Sequence, residues 1–174
     1  MSKFLPKMYQ KSIYTIDYKN LKNKGIKCIL FDLDNTCVPF YENKGNKELK
    51  KLFEKLTKLG FRVIIFSNSP KRRLDKFKDM QVEYNYSSKK PLKHDFNKIL
   101  KKYNYKKEEV IIVGDQIFTD IYGGNKVGIN TCLVEPLTDY DGFLTRITRK
   151  IEKITINNFE KKGTFKRGEY YDKV

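Results

Sequence analysis

Short unbroken apolar runs alternate along this chain with longer stretches in which apolar residues recur at helical spacing. Cys28-Ile29-Leu30-Phe31, Val63-Ile64-Ile65-Phe66 behind Arg62, and Val110-Ile111-Ile112-Val113 carry no internal charge. Runs of that kind suit strands buried on both faces of a parallel sheet. Weaker runs at 83–86 and 131–134 predict two further strands. Between the runs, Leu49, Leu52, Phe53, Leu56 and Leu59 mark one face of a helix that Gly60 closes, and Phe96, Ile99 and Leu100 do the same over 93–103. A short helix over 18–23 ends at Gly25. Over 141–154, Phe143, Ile147, Ile151 and Ile154 give an amphipathic helix whose other face carries Arg146, Arg149, Lys150 and Lys153. This order predicts an α/β fold, a parallel sheet flanked by helices on both faces.

The two ends lack such a pattern. Residues 1–17 scatter Phe4, Leu5, Pro6, Met8, Ile13, Tyr14 and Ile16 among lysines and read as an N-terminal arm, either packed on the domain or resting on a lipid surface. Residues 18–156 form the domain itself, and 157–174, polar and aperiodic, read as a flexible basic tail. The 143–154 helix either packs on the sheet or lies on an anionic membrane or nucleic acid.

Charge sharpens the choice of partner. The 174 residues hold 37 Lys and Arg against 21 Asp and Glu, a formal net charge of +16. A field of that sign favours polyanions, although part of it is only solvated lysine. No apolar run approaches the roughly 18 residues that a bilayer-spanning helix needs, and the N-terminus has no signal-peptide core, so the chain is expected in the cytoplasm. Cys28, Cys37 and Cys132 are odd in number and show no CxxC spacing. They read as reduced, buried residues and exclude a structural zinc or a disulfide framework.

The chemistry gathers where the predicted strands end, which is where open α/β sheets bind ligands. Asp32 and Asp34 follow the first strong run and Asn35-Thr36 turns the chain there. Two such acids either hold a divalent cation between them or cap a solvated turn. Ser67-Asn68-Ser69-Pro70 ends the second run, offering a phosphate cradle or a simple N-cap. Arg72 and Arg73 stand in the next helical turn against the dipole preference, which suggests that they face an anion. Lys90 is held extended by Pro91. Gly114-Asp115 ends the third run and Asp120 follows. His94 is read as a surface residue.

Taken together, Asp32-Leu33-Asp34-Asn35-Thr36, Ser67, Lys90-Pro91 and Gly114-Asp115 with Asp120 resemble the four motifs of the haloacid dehalogenase (HAD) phosphatases. With Phe4-Leu5-Pro6, Arg72-Arg73, Gln116, Thr119 and Asp141-Gly142-Phe143, the likeness narrows to the YqeG-type members of HAD subfamily IIIA, over roughly residues 4–155. Yeast and plant members of that group dephosphorylate phosphatidylglycerophosphate in phospholipid biosynthesis. The resemblance implies a Rossmann-like HAD fold in which Asp32 is the nucleophile and Asp34 the general acid and base. It further implies Mg²⁺ held by Asp32, Asp115 and the backbone carbonyl of Asp34, and a phosphoryl group bound by Ser67, Asn68 and Lys90. Thr36 and Asp120 would support the site, Asp120 by orienting Lys90 or a metal-bound water, and Arg72 and Arg73 are candidates for a substrate anion. Cys37 stands where Leu is usual and Ser69 where Asn is common; neither is a catalytic position.

The spacings leave room for no substantial cap domain. An open site accepts a phosphate displayed on something large, and with the basic charge an anionic phospholipid is the expected substrate, met at the inner face of a membrane. Nucleic-acid ends, nucleotides or another soluble phosphate ester form one alternative, with nucleic acid as partner. A non-catalytic receiver-like or scaffold module forms a second. No obligate protein partner is expected.

Overall fold

A computed structural model describes residues 3–140 and 143–174, with 143–150 described by their backbone alone. In chain order the elements are β1 (Met8–Gln10), α1 (Tyr18–Asn23), β2 (Cys28–Phe31), α2 (Lys47–Lys58), β3 (Arg62–Phe66), α3 (Lys71–Leu74), β4 (Glu83–Asn85), α4 (Lys93–Lys102), β5 (Val110–Gly114), α5 (Tyr122–Val127), β6 (Asn130–Val134), α6 (Phe143–Lys161) and β7 (Tyr171–Asp172). They build one sheet in the order β4-β3-β2-β5-β6-β1-β7, parallel except that β7 runs antiparallel to β1.

Pleat parity divides the core. Ile29 and Phe31 of β2 pack with Leu49, Phe53 and Leu56 of α2 on one face, while Cys28 and Leu30 pack with Phe96 and Ile99 of α4 on the other. Each such fully buried side chain contributes about 1.5–3 kcal/mol. Asn46 accepts the amide of Leu49 at 2.8 Å to start α2, and Gly60, at φ +83°, ends it in a conformation that other residues resist. In the register Phe31 lies beside Ile65 on one side and Val113 on the other, so β2, β3 and β5 end level with one another.

Of the two readings of the N-terminal arm, the structure shows the one packed on the domain. The N-terminal arm contributes β1, whose Met8 and Tyr9 are buried and pair with Cys132 and Leu133. The flexible tail is corrected. α6 continues to Lys161, Phe165 is buried with its ring 4.9 Å from that of Tyr9, and Tyr171 and Asp172 pair with β1. A polar segment becomes ordered because the rings of Phe165, Tyr170 and Tyr171 around Tyr9, together with backbone pairing, compensate for the entropy lost. The described end of the apolar stripe of α6 is also turned outward. Ile151 and Ile154 are exposed, whereas Glu152 and Ile156 are buried, Glu152 accepting the backbone N–H of Phe118 at 3.0 Å. The side chains of Phe143, Arg146, Ile147, Arg149 and Lys150, and residues Asp141 and Gly142, lie outside the described residues. Among the described residues no helix is long and apolar enough to cross a membrane.

If Phe165 anchors the C-terminal segment, Phe165→Ala should lower the unfolding free energy by about 3 kcal/mol in a urea titration. An unchanged midpoint would restore the flexible tail.

Candidate active site

Level strand ends bring the candidate residues to one edge. Asp32 follows β2 and its backbone N–H donates to the carbonyl of Val113 at 2.9 Å, so its position is set by the ladder with β5. It is buried. Asn35, at φ +62°, turns the chain, and Thr36 donates its hydroxyl to Asp115 Oδ1 at 2.7 Å. Asp115 and Asp120 are buried beside Asp32, and the three acids offer oxygens within 4.8 Å of one another. Gly114 makes this possible: a Cβ there would stand 2.2 Å from Asp120 Oδ2.

Lys90 holds the acids together. Its ammonium donates to Asp32 Oδ1 at 2.5 Å and to Asp120 Oδ1 at 2.7 Å. Asn68 fixes the lysine backbone from both sides, accepting its N–H at 2.7 Å and donating to its carbonyl at 3.0 Å. The amide of Asn68 is thus committed to placing Lys90. Ser67 is buried, and its Oγ accepts the N–H of Ser69 at 3.1 Å.

Among the described residues the buried carboxylates of this cluster outnumber its buried ammonium. Burial raises the Asp32 carboxyl well above the usual carboxylate range, and Asp120 and Asp115 push the same way against the opposing pull of Lys90. Burial would lower the ammonium of Lys90, yet Asp120 and Asp32 outweigh it and raise it above the ordinary lysine value. Three buried carboxylates facing one ammonium fit a hard divalent cation with oxygen ligands. Asp32, Asp115 and Asp120 are the side chains placed to hold it. Asp120 therefore belongs to the acid cluster as well as to the lysine.

Asp34 stands apart. Arg73 donates to its Oδ1 from Nε at 3.1 Å and from Nη2 at 2.8 Å, and Ser69 donates to its Oδ2 at 2.6 Å. Arg73 also donates to the carbonyls of Phe40, at 3.0 Å, and Glu42, tying the β2–α2 loop to α3. The expectation that Arg73 meets a substrate anion is thereby corrected: its anion is Asp34. Arg72 is exposed on the same turn. The contact of Ser69 with Asp34 is not predicted by its place in the Ser67–Pro70 turn. A hydroxyl two residues after Ser67 at a strand end was the one signal available. His94 is exposed and pairs with Asp95.

Replacing Lys90 by Met would leave the buried acids uncompensated. Lys90→Met should cost about 3–5 kcal/mol of unfolding free energy in metal-free buffer, the usual effect of breaking a buried ion pair from one side. A loss below about 1 kcal/mol, read by urea denaturation, would mean that the cluster is solvated or already protonated.

Comparison with known proteins bears on this geometry. The model of the family described as mitochondrial PGP phosphatase matches residues 1–138. The chain is 35% identical over 161 residues to the Bacillus subtilis protein named "Probable phosphatase YqeG", covering 92% of this chain and 94% of that one. It is 31% identical to phosphatidylglycerophosphate phosphatase 1, chloroplastic/mitochondrial, of Arabidopsis thaliana, over 91% of this chain and 49% of the plant protein, so it spans about half of that relative. Among solved structures, a predicted HAD-like family hydrolase from Porphyromonas gingivalis superposes with a TM-score of 0.54 at 14% identity, over 72% of this chain and 98% of the other. A candidate HAD-hydrolase from Bacillus subtilis, YfnB, superposes with a TM-score of 0.52 at 16% identity, over 72% of this chain and 100% of the other. These two likenesses are of fold.

Proposed function

Because the chain belongs to the PGP phosphatase family of HAD phosphatases, we propose that it removes the terminal phosphate of phosphatidylglycerophosphate, leaving phosphatidylglycerol. The observation that supports this most is the buried cluster of Asp32, Asp115 and Asp120 around Lys90 at the open end of the sheet. The plant relative carries phosphatidylglycerophosphate phosphatase in its name, and YfnB was solved bound to magnesium.

In this reading a carboxylate oxygen of Asp32 attacks phosphorus and the bond to the glycerol oxygen breaks, giving an aspartyl-phosphate. Asp34 gives its proton to the departing oxygen, then takes one from the water that attacks phosphorus and frees Asp32. Asp32, Asp115 and Asp120 would hold Mg²⁺, which would supply positive charge to offset that on the phosphoryl oxygens. Ser67 and Lys90 face those oxygens with a hydroxyl and an ammonium. Asn68 acts by holding Lys90, and Arg73 and Ser69 act by holding Asp34 in one rotamer. Thr36 holds Asp115.

The test is Mg²⁺-dependent phosphate release from phosphatidylglycerophosphate in mixed micelles. Asp32→Asn should abolish it, and Asp34→Asn should lower kcat by about 10²–10⁴ with KM nearly unchanged, the range for general acid and base catalysis. Lipid left untouched while a small phosphate ester is hydrolysed would keep the chemistry and remove the lipid assignment.

A further inference from the structure

The edge of the sheet that bears the acids also bears exposed apolar surface. The segment leaving β2 exposes Phe40 and Tyr41, that leaving β4 exposes Tyr86 and Leu92, and that leaving β6 exposes Leu137 and Tyr140. Most of the large hydrophobic side chains exposed among the described residues are therefore on this one edge; the others are Tyr14, Ile151, Ile154 and Tyr170. In the strand order, β4 lies on one side of β2 and β6 on the other, so the apolar groups flank Asp32 and Asp34 on both sides.

This rim is tied to the site. The rings of Phe40 and Tyr41 lie 6.1 and 6.4 Å from that of Tyr140. Asn35, next to Asp34, accepts from the Phe40 N–H at 3.3 Å and from the Thr138 hydroxyl at 2.8 Å, and donates to the Tyr140 carbonyl at 2.9 Å. On the other side the Leu92 N–H donates to the Lys89 carbonyl at 2.8 Å, one residue from Lys90. Cations stand between the apolar groups. Lys44, Arg72, Lys89 and Lys93 are exposed on the segments leaving β2, β3 and β4, against the exposed acids Glu42 and Asp139.

We propose that this rim is the surface on which the protein seats against an anionic lipid bilayer, with the mouth of the site facing the headgroups. The proposal rests on the phosphatidylglycerophosphate reading. Tyrosine rings settle at the level of lipid headgroups, with an apolar body toward the chains and a hydroxyl toward water, and leucines beside them reach the acyl boundary. Exposed lysine and arginine draw such a rim to anionic lipid. The orientation suits the site, because Asp32 lies at the strand ends from which the rim segments leave, so a headgroup seated on the rim is brought to the same edge. Aliphatic Leu92 and Leu137, exposed beside the rings, offer no stacking face to a nucleic-acid base and suit the acyl boundary instead.

The chain contains no tryptophan, so a single one reports its own position. Tyr41→Trp, Leu92→Trp and Leu137→Trp would be mixed with phosphatidylglycerol/phosphatidylcholine vesicles carrying brominated acyl chains. Ile154→Trp, on the exposed side of α6, and Tyr105→Trp, just before β5 at the opposite end of the sheet, serve as comparisons. The rim tryptophans should shift to the blue and lose emission by quenching while Tyr105→Trp does not, and Lys89→Gln should weaken vesicle binding roughly fivefold. Rim tryptophans that stay unquenched overturn the proposal, whether the protein fails to sediment with the vesicles or quenching is confined to Ile154→Trp or Tyr105→Trp. Phosphate release from micellar phosphatidylglycerophosphate is read on the same preparations. Quenching without that release keeps the docking and removes the substrate reading; release without quenching does the reverse.

Discussion

Among the described residues one buried ammonium stands among three carboxylates, and that cluster sets the character of this protein. Lys90 bonds to Asp32 and Asp120 at once, with Asp115 alongside, and all four are buried. Such a cluster is unfavourable unless its negative excess meets a cation or a reacting centre that needs those oxygens. The fold is arranged to sustain it. Level strand ends set Asp32 and Asp115, a glycine at position 114 lets Asp120 approach, and the two-sided grip of Asn68 carries Lys90 in from another loop.

A second arrangement keeps Asp34 apart from that cluster. Arg73 and Ser69 occupy both oxygens of its carboxylate, although it stands only two residues from Asp32. Two neighbouring acids thereby acquire separate environments, one buried against a lysine and other acids, the other half-buried under a guanidinium and a hydroxyl. Divergent surroundings of this kind are how paired carboxylates come to serve different steps of one reaction. The same guanidinium holds the carbonyls of Phe40 and Glu42, so the loop that carries the exposed aromatic rim is fixed to the residue that would move the proton.

Much of this was legible in the sequence because it is local. The runs ending at Phe31, Phe66 and Val113 are strands through strand length and branched residues alone, and acids one or two residues after the first and third mark the binding edge. What escaped depended on partners distant in the chain. Arg73 meets Asp34 across 39 residues, so its unfavourable place in a helix signalled an anion without naming which one. Met8–Gln10 is too short to read as a strand, and its neighbours are Cys132–Val134 and Tyr171–Asp172. Periodicity in α6 identified an apolar stripe but not the side that packs; buried Glu152, bonded to the backbone of Phe118, turned Ile151 and Ile154 outward.

If Asp32 is the nucleophile, it carries the phosphoryl group during turnover. The direct measurement is acid quench of the enzyme during turnover of phosphatidylglycerophosphate with Mg²⁺, followed by mass spectrometry of its peptides. A phosphate mass on the peptide containing Asp32, located at that residue and absent from Asp32→Asn, is the predicted result. Turnover that proceeds with Asp32 unmodified, or with the phosphate on another side chain, would contradict it.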